Sequence, residues 1–344
     1  MLVYIAPLAG LALAGRPVAP FLDFPPRTAY AAHAPFAWPA FVLYALPAVA
    51  VALLYARALR GRSAPRAGKA CEWPWWLWAG LGLVGAGWTL AWREGLVPAE
   101  WRRHTFTLLW LGYIVVMNAL AYRRSGRSPL THRTGWFASL FLASALFWWL
   151  FEHLNQFSRN WYYTGIAAKG AWDYFLQASL PFSTVLPAVA STWAWLAAFP
   201  RLDRMRLFPV RAGAWLAWLS LVAGVGTLAA LPLAPEALFA MLWLAPLLVL
   251  AALQFVLTGE TLFSPLAQGD WRPVLQPALA ALVCGFFWEL WNYGSLARWH
   301  YSVPYVQRFH VFEMPLLGYA GYLPFGVECA LALQLVERLV RERP

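Results

Sequence analysis

The chain has 344 residues, of which 61% are hydrophobic and only 12% are charged. A soluble domain carries about 25% charged residues, so this composition excludes an ordinary soluble protein. The formal net charge of +11 is expected to reflect arginine-rich loops on the cytoplasmic side of a membrane, and we expect no nucleic-acid partner. The sequence predicts an all-α, polytopic integral membrane protein in a bacterial inner membrane.

Apolar segments close to the length of a bilayer crossing recur along the chain and predict nine membrane spans. They lie at residues 36–58, 74–92, 105–121, 136–152, 173–199, 212–231, 238–256, 273–291 and 315–337. A tenth span is expected if residues 2–15 also cross. The three cysteines have no paired spacing, so neither a disulfide framework nor a cysteine metal site is expected.

The distribution of Lys and Arg predicts the orientation in the membrane. Of the 26 such residues, 17 lie in one alternate set of connections, 57–69, 122–133, 201–211, 257–272 and 338–344. Because cytoplasmic loops are enriched in positive residues, this set and the C-terminus are predicted to be cytoplasmic. Five of the six histidines then lie on the outer side, namely His33, His104, His153, His300 and His310. Binding or chemistry is therefore expected at the outer face.

One motif occurs twice, as LFEHLNQFSRNWYY at 150–163 and as FWELWNYGSLARWHY at 287–301. A shift of 137 residues aligns Glu152 with Glu289, Asn155 with Asn292, Ser158 with Ser295, Phe175 with Phe312 and Leu186–Pro187 with Leu323–Pro324. A Trp-x-Tyr element also aligns after one inserted residue. Each copy would contain four spans, which predicts parallel repeats related by an axis near the membrane normal. The predicted organisation is an N-terminal extension (1–70), a first repeat (71–205) and a second repeat (206–344).

The Glu of each copy is the first candidate for chemistry. Glu289 and Asn292 lie three residues apart and share one face of a predicted helix, as Glu152 and Asn155 do. A carboxyl group among aromatic side chains near the membrane boundary suits a general acid, because desolvation favours its protonated form. The alternative is a structural Glu that is hydrogen-bonded to the following loop. We expect the C-terminal copy to be the active one, because it alone contains His300 and His310.

Glu328 and Glu313 complete the set of candidate site residues. Glu328 lies thirteen residues past the predicted start of its span, about 20 Å along the helix and well inside the hydrocarbon core. A protonated structural Glu bonded to a neighbouring helix is the alternative reading. A metal site could be assembled from Glu289, His300, His310 and Glu313, but the spacing matches no established zinc motif. We therefore expect no metal and no other cofactor.

Three segments carry a resemblance to a known family: WDYF (172–175), RWHYSVP (298–304) and YLPFGVE (322–328). They are similar to elements of the lycopene cyclase domain family of carotenoid biosynthesis. That family uses pairs of small membrane units with acidic residues, a Trp-x-Tyr-like loop and a Pro-Glu-Glu element before an apolar span. This chain departs from the pattern, since no adjacent pair of Glu follows Pro324. The resemblance implies cofactor-independent chemistry on a long polyene, in which carboxylic acids protonate an alkene and aromatic faces stabilise the carbocation.

Two functions are therefore expected from the sequence. The first is a membrane-embedded enzyme, of isomerase, cyclase or hydratase type, that performs acid–base chemistry on a lipid or isoprenoid without a redox cofactor. The second is a carboxylate-dependent transporter of a small solute or lipid, for which a charge near the bilayer midplane such as Glu328 is typical. In both cases the partners are membrane lipids or a hydrophobic small molecule.

Overall fold

A computed structural model of the protein describes residues 1–60 and 71–341, and most of these residues are helical. The longer helices are α1 (Leu2–Leu13), α2 (Trp38–Leu59), α3 (Trp76–Trp92), α5 (Thr105–Ser125), α7 (Thr134–Ser158), α8 (Ala171–Phe182), α9 (Val185–Ala197), α10 (Ala214–Ala230), α12 (Met241–Thr258), α13 (Arg272–Gly294) and α14 (Tyr322–Arg341). Single helical turns form α4 (Ala99–Arg102), α6 (Pro129–His132) and α11 (Pro235–Leu238). Parts of the predicted connections 57–69 and 338–344 lie outside the described residues.

Length and composition identify the spans among these helices. Seven helical segments of the described chain are long and apolar enough to cross a bilayer: Trp38–Leu59, Thr105–Ser125, Thr134–Ser158, Ala171–Ala197, Met241–Thr258, Arg272–Gly294 and Leu316–Val340. The helices Leu2–Leu13 and Ala214–Ala230 are apolar but shorter. The chain is therefore a helical integral membrane protein, as predicted. A total of nine or ten spans stays a prediction.

Two of the predicted spans contain a change of helix geometry. The span at 173–199 divides between α8 and α9 at Ser183–Thr184, directly after Pro181, whose missing amide hydrogen weakens the helical ladder. The last span begins as a 3₁₀-helix over Leu316–Gly321 and continues as α14. Both interruptions lie next to the cavity described below, because Pro181 and Gly321 are among its lining residues.

Four short β-strands add to the predicted all-α architecture. Strand β1 (Trp161–Thr164) pairs antiparallel with β2 (Arg298–Tyr301), so that Trp161 lies opposite Tyr301 and Tyr163 opposite Trp299. Strands β3 (His310–Val311) and β4 (Met314–Pro315) form a second, smaller pair. Aromatic residues favour a pleated, half-buried surface, and here the Trp-x-Tyr elements predicted as loops form the ladder. The β1–β2 pair joins segments that lie far apart in the sequence.

The helices pack into a central group with an outlying helix. Helices α5, α7, α9, α13 and α14 contact one another at the centre, while α3 packs on α5, α10 packs on α12, and α1 packs on α10 and α7. Helix α2 packs least: none of its most apolar stretch is buried. It is attached at its two ends, where the amide of Ala37 donates to the Tyr305 carbonyl at 2.9 Å and the Tyr55 hydroxyl to the Leu275 carbonyl at 2.6 Å.

The connections gather at two ends of the helix bundle. At one end, which we call the strand end, β1 and β2 lie with the chain before α2, as Ser302 Oγ donates to the Ala31 carbonyl at 2.6 Å. At the other, the arginine end, residues 201–211 meet residues 264–272 through a bridge between Arg206 and Asp270. The two ends correspond to the two sets of connections that the Lys and Arg count separates.

Candidate functional site

The site lies where helices α7 and α13 end beneath the β1–β2 pair. Each helix has an Asn near its C-terminal end. The side-chain amide of this Asn forms hydrogen bonds with the backbone of the strand that follows. Asn292 Nδ2 donates to the Trp299 carbonyl, and its Oδ1 accepts from the Trp299 amide, both at 2.8 Å. Asn155 Nδ2 donates to the Trp161 carbonyl at 2.8 Å, and its Oδ1 accepts from the amides of Asn160 and Trp161. These two predicted site residues therefore position the strands.

Glu152 is buried three residues before Asn155 and accepts three hydrogen bonds at one oxygen. The indole Nε1 atoms of Trp148 and Trp161 each donate to Glu152 Oε1 at 3.0 Å, and the Tyr163 hydroxyl donates at 2.5 Å. Because Trp161 and Tyr163 alternate along β1, both side chains reach the same face of the strand. The Trp-x-Tyr spacing thus brings two donors onto one carboxyl group.

Glu289 occupies the equivalent place in the second motif, but its partners differ. The hydroxyl groups of Tyr301 and Tyr322 donate to Glu289 Oε1 at 2.8 Å and 2.6 Å. Trp299 Nε1 donates to the Tyr301 oxygen at 2.7 Å. The second oxygen, Oε2, is buried and has no hydrogen-bond partner among the described residues. This oxygen is the natural position for a proton on a carboxyl group that lies within the membrane.

Beside the two carboxyl groups lies a cavity of about 840 Å³. Its wall is mainly apolar and aromatic, with α2 on one side and α8, α13, α14 and the strand pair on the other. Six of its aromatic residues are Trp148, Trp161, Trp243, Trp288, Trp299 and Tyr174. A cavity of this size is within the range of small-molecule sites and suits an apolar ligand.

Tyrosine hydroxyl groups separate the carboxyl groups from the cavity. Tyr163, Tyr301 and Tyr322 all line the cavity, whereas Glu152 and Glu289 lie behind them. Burial raises the pKa of Tyr163 and of Tyr301 well above the usual value near 10, and the adjacent carboxyl group raises each further. The phenols therefore keep their protons and act as neutral donors. A ligand in the cavity therefore lies against tyrosines whose hydroxyl groups bond the two carboxyl groups.

The remaining predicted residues divide between the strand pair and its surroundings. His300 lies on β2, where Nδ1 is 3.1 Å from Glu313 Oε2 and Nε2 is 3.1 Å from Thr164 Oγ1. The structure therefore brings His300 and Glu313 together, above Glu289. His310 is exposed, and its Nε2 lies 3.2 Å from the Gln307 amide nitrogen. It does not join the buried group.

Glu328 is fully buried in α14, away from the strand pair. Neither of its oxygens has a hydrogen-bond partner among the described residues, and the Leu247 backbone lies against it. Its neighbour Val327 and Leu247 line the cavity, whereas Glu328 does not. Glu328 is therefore one layer behind the cavity wall and deeper in the membrane than Glu289. An ionised group there would cost several kcal/mol unless it were paired.

The tyrosines are the functional side chains that sequence reasoning missed. Trp161 and Tyr163 aligned with Trp299 and Tyr301 in the duplicated motif, yet these four residues were not among the predicted site residues. The Trp-x-Tyr spacing could have indicated them, because residues two apart in a strand lie on the same face. Tyr322 carried no such signal, since its role depends on the packing of α14 against α13.

The residue set does not point to a resident metal ion. Among the described residues, no group of three or more His, Cys, Asp or Glu side chains is arranged to hold a metal. The donors that do converge are indole and phenol groups on a carboxyl oxygen. Such an arrangement holds and transfers protons, as general acid–base catalysis requires.

Comparisons with models of known protein families, with curated proteins and with solved structures gave no match. The class of protein therefore follows from the fold and the site alone. It is a helical integral membrane protein with two buried carboxyl groups, each connected through tyrosine to one apolar cavity.

Proposed function

We propose that this protein is an enzyme that performs acid–base chemistry on a lipid or isoprenoid held in the cavity between α2 and the helix bundle. One observation carries the proposal. Each of two buried carboxyl groups accepts a hydrogen bond from a tyrosine that lines the same aromatic cavity. A purely structural Glu needs partners, but it does not need partners that face an apolar cavity.

In the proposed mechanism, these hydrogen bonds carry a proton between the carboxyl group and the substrate, in either direction. In one direction, a tyrosine oxygen accepts a proton from the carbon next to a substrate carbocation while its own proton passes to the carboxylate behind it. The C–H bond breaks, and its electron pair forms a C=C bond with the cationic carbon, which neutralises the substrate. In the reverse direction, the carboxylic acid returns a proton through the phenol to an alkene carbon, which leaves a carbocation. A positioned acid or base of this kind contributes about 10²–10⁴ in rate.

The cavity wall suits the cationic species that such a step produces. Trp161 and Trp243 stack with ring centroids 5.6 Å apart, and both face the cavity. Trp148 and Trp288 add further indole rings to the same wall. Indole is the best of the side chains for attracting a cation to its face. The same apolar surface excludes water, which protects a reactive intermediate.

The cavity and the resemblance noted in the sequence support the proposed class of substrate. The predominantly apolar lining fits a hydrocarbon chain, and double bonds are the groups that a carboxylic acid protonates. The similarity to the lycopene cyclase domain family supports an isoprenoid and a reaction of isomerase, cyclase or hydratase type. We place the leading role on Glu289, because its free Oε2 leaves room for a proton.

A deuterium-exchange experiment tests this function. Lipids that copurify with the detergent-solubilised protein are identified by mass spectrometry and then returned to the protein in D₂O. The native protein should incorporate deuterium into one unsaturated lipid. Glu289→Gln should abolish the exchange and Glu152→Gln should reduce it, since Gln keeps the volume but lacks the exchangeable acid proton. A well-expressed Glu289→Gln protein with full exchange would show that this carboxyl group is structural.

We also infer that the two halves are repeats with parallel orientation. The strand pairing supports this reading, because exchanging the equivalent residues Trp161 with Trp299 and Tyr163 with Tyr301 maps the ladder onto itself. Helix contacts agree: α3 on α5 matches α10 on α12, and α9 on α13 matches α14 on α7. Superposition of 71–205 on 206–344 tests the inference, which requires a rotation axis near the membrane normal.

One observation favours transport as a second candidate function. The cavity is lined from the strand end, at Trp299, to residues near the start of α13, at Trp271 and Leu275. Glu328 is buried at a depth between these two ends of the cavity. Its position resembles that of a carboxylate that couples ion movement to transport. Reconstitution in sealed vesicles distinguishes the two functions. A transporter moves the copurified lipid across the bilayer without changing its mass, whereas the enzyme changes the lipid within one leaflet.

A further inference from the structure

We infer that the substrate is an amphiphile with an anionic head group, held at the strand end by Arg103 and Arg298, and with its chain in the cavity. This inference rests on the proposed function and names the substrate class of the same site. It concerns binding of the part of the substrate that does not react.

Two arginines line the cavity without an acidic partner. Arg103 and Arg298 both belong to its wall, and neither forms an ion pair with a described residue. Each makes one hydrogen bond to a carbonyl: Arg103 Nε to Gly165 at 3.1 Å and Arg298 Nη1 to Tyr293 at 3.1 Å. A guanidinium group has five N–H donors, so each retains free donors. Both cations are therefore available to a ligand.

Four acidic residues of the strand end are already engaged with partners other than these arginines. Glu94 pairs with Arg102, and Glu236 pairs with His33. Glu313 contacts His300, and Asp173 accepts from the Lys169 amide and from Gln177. Positive charge at the mouth of an apolar cavity is costly unless a ligand or water compensates it, and it attracts an anion.

One turn brings the two arginines to the same place. Gly165 follows β1 with a positive φ of 72°, and its backbone lies so close to Leu296 that a Cβ atom there would overlap the Leu296 carbonyl. The Gly165 carbonyl holds Arg103, while the preceding residue, Thr164, pairs with Arg298 on β2. Arg103 and Arg298 thus flank one turn at the edge of the strand pair. His104, next to Arg103, also lines the cavity.

Below this mouth, the cavity has the length of an extended chain. Trp288 and Leu275 both line it on α13, and thirteen residues of helix separate them, which corresponds to about 20 Å. Helix α2 closes the lateral side, and among the described residues its hydrogen bonds to the rest of the bundle lie near its two ends. An apolar chain can therefore enter from the bilayer past α2, whose most apolar stretch is not buried. A charged head and a long apolar chain together match the two parts of the site.

Guanidinium groups bind both phosphate and carboxylate with paired hydrogen bonds. The binding experiment therefore uses three probes: geranylgeranyl phosphate, geranylgeraniol, which has the same chain without the charge, and oleate. Dissociation constants are measured on the detergent-solubilised full chain by quenching of tryptophan fluorescence. We expect the phosphate to bind at least about tenfold more tightly than the alcohol, which corresponds to about 1.4 kcal/mol. The relative affinity of oleate assigns the head group to phosphate or to carboxylate.

Variants connect this preference to the two arginines. Arg103→Gln combined with Arg298→Gln should remove the preference for the anionic probes and leave binding of the alcohol unchanged. The corresponding double Lys variant keeps the charge and should retain most of the preference. The control is Arg308→Gln at the same end, because Arg308 stacks on Phe36 and Phe309 and does not line the cavity.

The outcomes separate this inference from the proposed function. Equal binding of phosphate and alcohol by the native protein overturns the head-group assignment, while the deuterium-exchange test of Glu289 stands independently. Unchanged preference in the double Gln variant also overturns the assignment. Binding of none of the three probes overturns the chain-binding cavity, and with it the proposed function.

Discussion

Tyr301 lines the cavity and contacts the Glu289 carboxyl group. Its hydroxyl oxygen both donates and accepts a hydrogen bond. Its hydroxyl donates to Glu289 Oε1 and accepts from Trp299 Nε1. Burial raises the pKa of this phenol well above its usual value, so the proton stays on oxygen across the physiological range. In the relay that we propose, the transfer is therefore expected to be concerted and not to pass through a free phenolate.

Replacing Tyr301 with Phe tests this relay. Tyr301→Phe keeps the ring but removes the oxygen between Glu289 and the cavity, so we expect deuterium exchange into the substrate to fall by about 10²–10⁴. Tyr293→Phe is the matched control, because Tyr293 is half exposed on α13, the helix that carries Glu289. Exchange that is equally reduced in both variants, or in neither, would contradict a specific role for Tyr301.

Gly285 provides the space that places Tyr322 against Glu289. A Cβ atom at Gly285 would overlap the ring of Tyr322. We expect Gly285→Ala to displace that ring and to destabilise the fold by about 1–3 kcal/mol, as overpacking does. Gly226→Ala in α10 is the control, since a Cβ atom there meets no described atom within 4 Å. Thermal unfolding in detergent measures both variants, and equal melting temperatures would show that Tyr322 can shift without cost.

At the scale of elements, each Asn joins a membrane helix to a strand. Asn292, which is fully buried, satisfies both the amide and the carbonyl of Trp299. Backbone polar groups that lose their partners in such a place cost about 1–3 kcal/mol each. The two Asn residues therefore hold the register in which Tyr301 and Tyr163 reach their carboxyl groups.

We expect Asn292→Ala to loosen β2 without unfolding the helices. Amide hydrogen exchange in Arg298–Tyr301 should become faster, while exchange within α13 and α14 should change little. Ser295→Ala serves as the control, because the Ser295 hydroxyl bonds only the Trp291 carbonyl of its own helix. Unchanged exchange in β2 would show that the β1–β2 ladder alone holds the strand.

The helices could be predicted from the sequence, but the strands could not. Apolar runs of bilayer length identify a helix locally, and each of the nine predicted spans coincides with apolar helical segments such as α5, α7 and α13. The strand β1 has only four residues, and its partner lies far along the chain, so no local pattern indicates the pair. Aromatic residues in this setting also resemble the interfacial belt of membrane proteins.

The candidate site could be predicted in part for the same reason. Glu152 and Glu289 stood out because carboxyl groups are rare in membrane spans. The contacts that give them a function come from tyrosines on strands and on a different helix, and such contacts depend on tertiary packing. The cavity-lining arginines were visible in the sequence, but nothing local distinguished them from the other arginines of the strand end.

At the scale of the whole molecule, the two ends of the bundle differ in charge. We propose, from the distribution of Lys and Arg, that the arginine end and the C-terminus are cytoplasmic and that the strand end is outside. Val311, which is exposed on β3, and Arg127, which is exposed after α5, lie at opposite ends and provide a reciprocal pair of reporter positions.

Cysteine labelling tests this orientation. In a background with Cys71→Ser, which removes the half-buried thiol, an impermeant reagent should label Val311→Cys in intact spheroplasts. Arg127→Cys should be labelled only after lysis. The buried thiols of Cys284 and Cys329 should remain unlabelled in both cases. The reverse pattern would place the site on the cytoplasmic side.

The strand pair also has a consequence for biosynthesis. Strand β1 ends at Thr164, and its partner β2 begins at Arg298, a difference of 134 residues. At about 5–20 residues per second, a ribosome needs roughly 7–27 s to make that interval. During this time, Glu152 can already bind Trp148, Trp161 and Tyr163, all from its own half. Until β2 is synthesised, the backbone N–H and C=O groups at the edge of β1 have no partner strand, and an exposed strand edge can pair with other chains. The nascent first half is therefore prone to association with other chains until Arg298–Tyr301 pairs with β1.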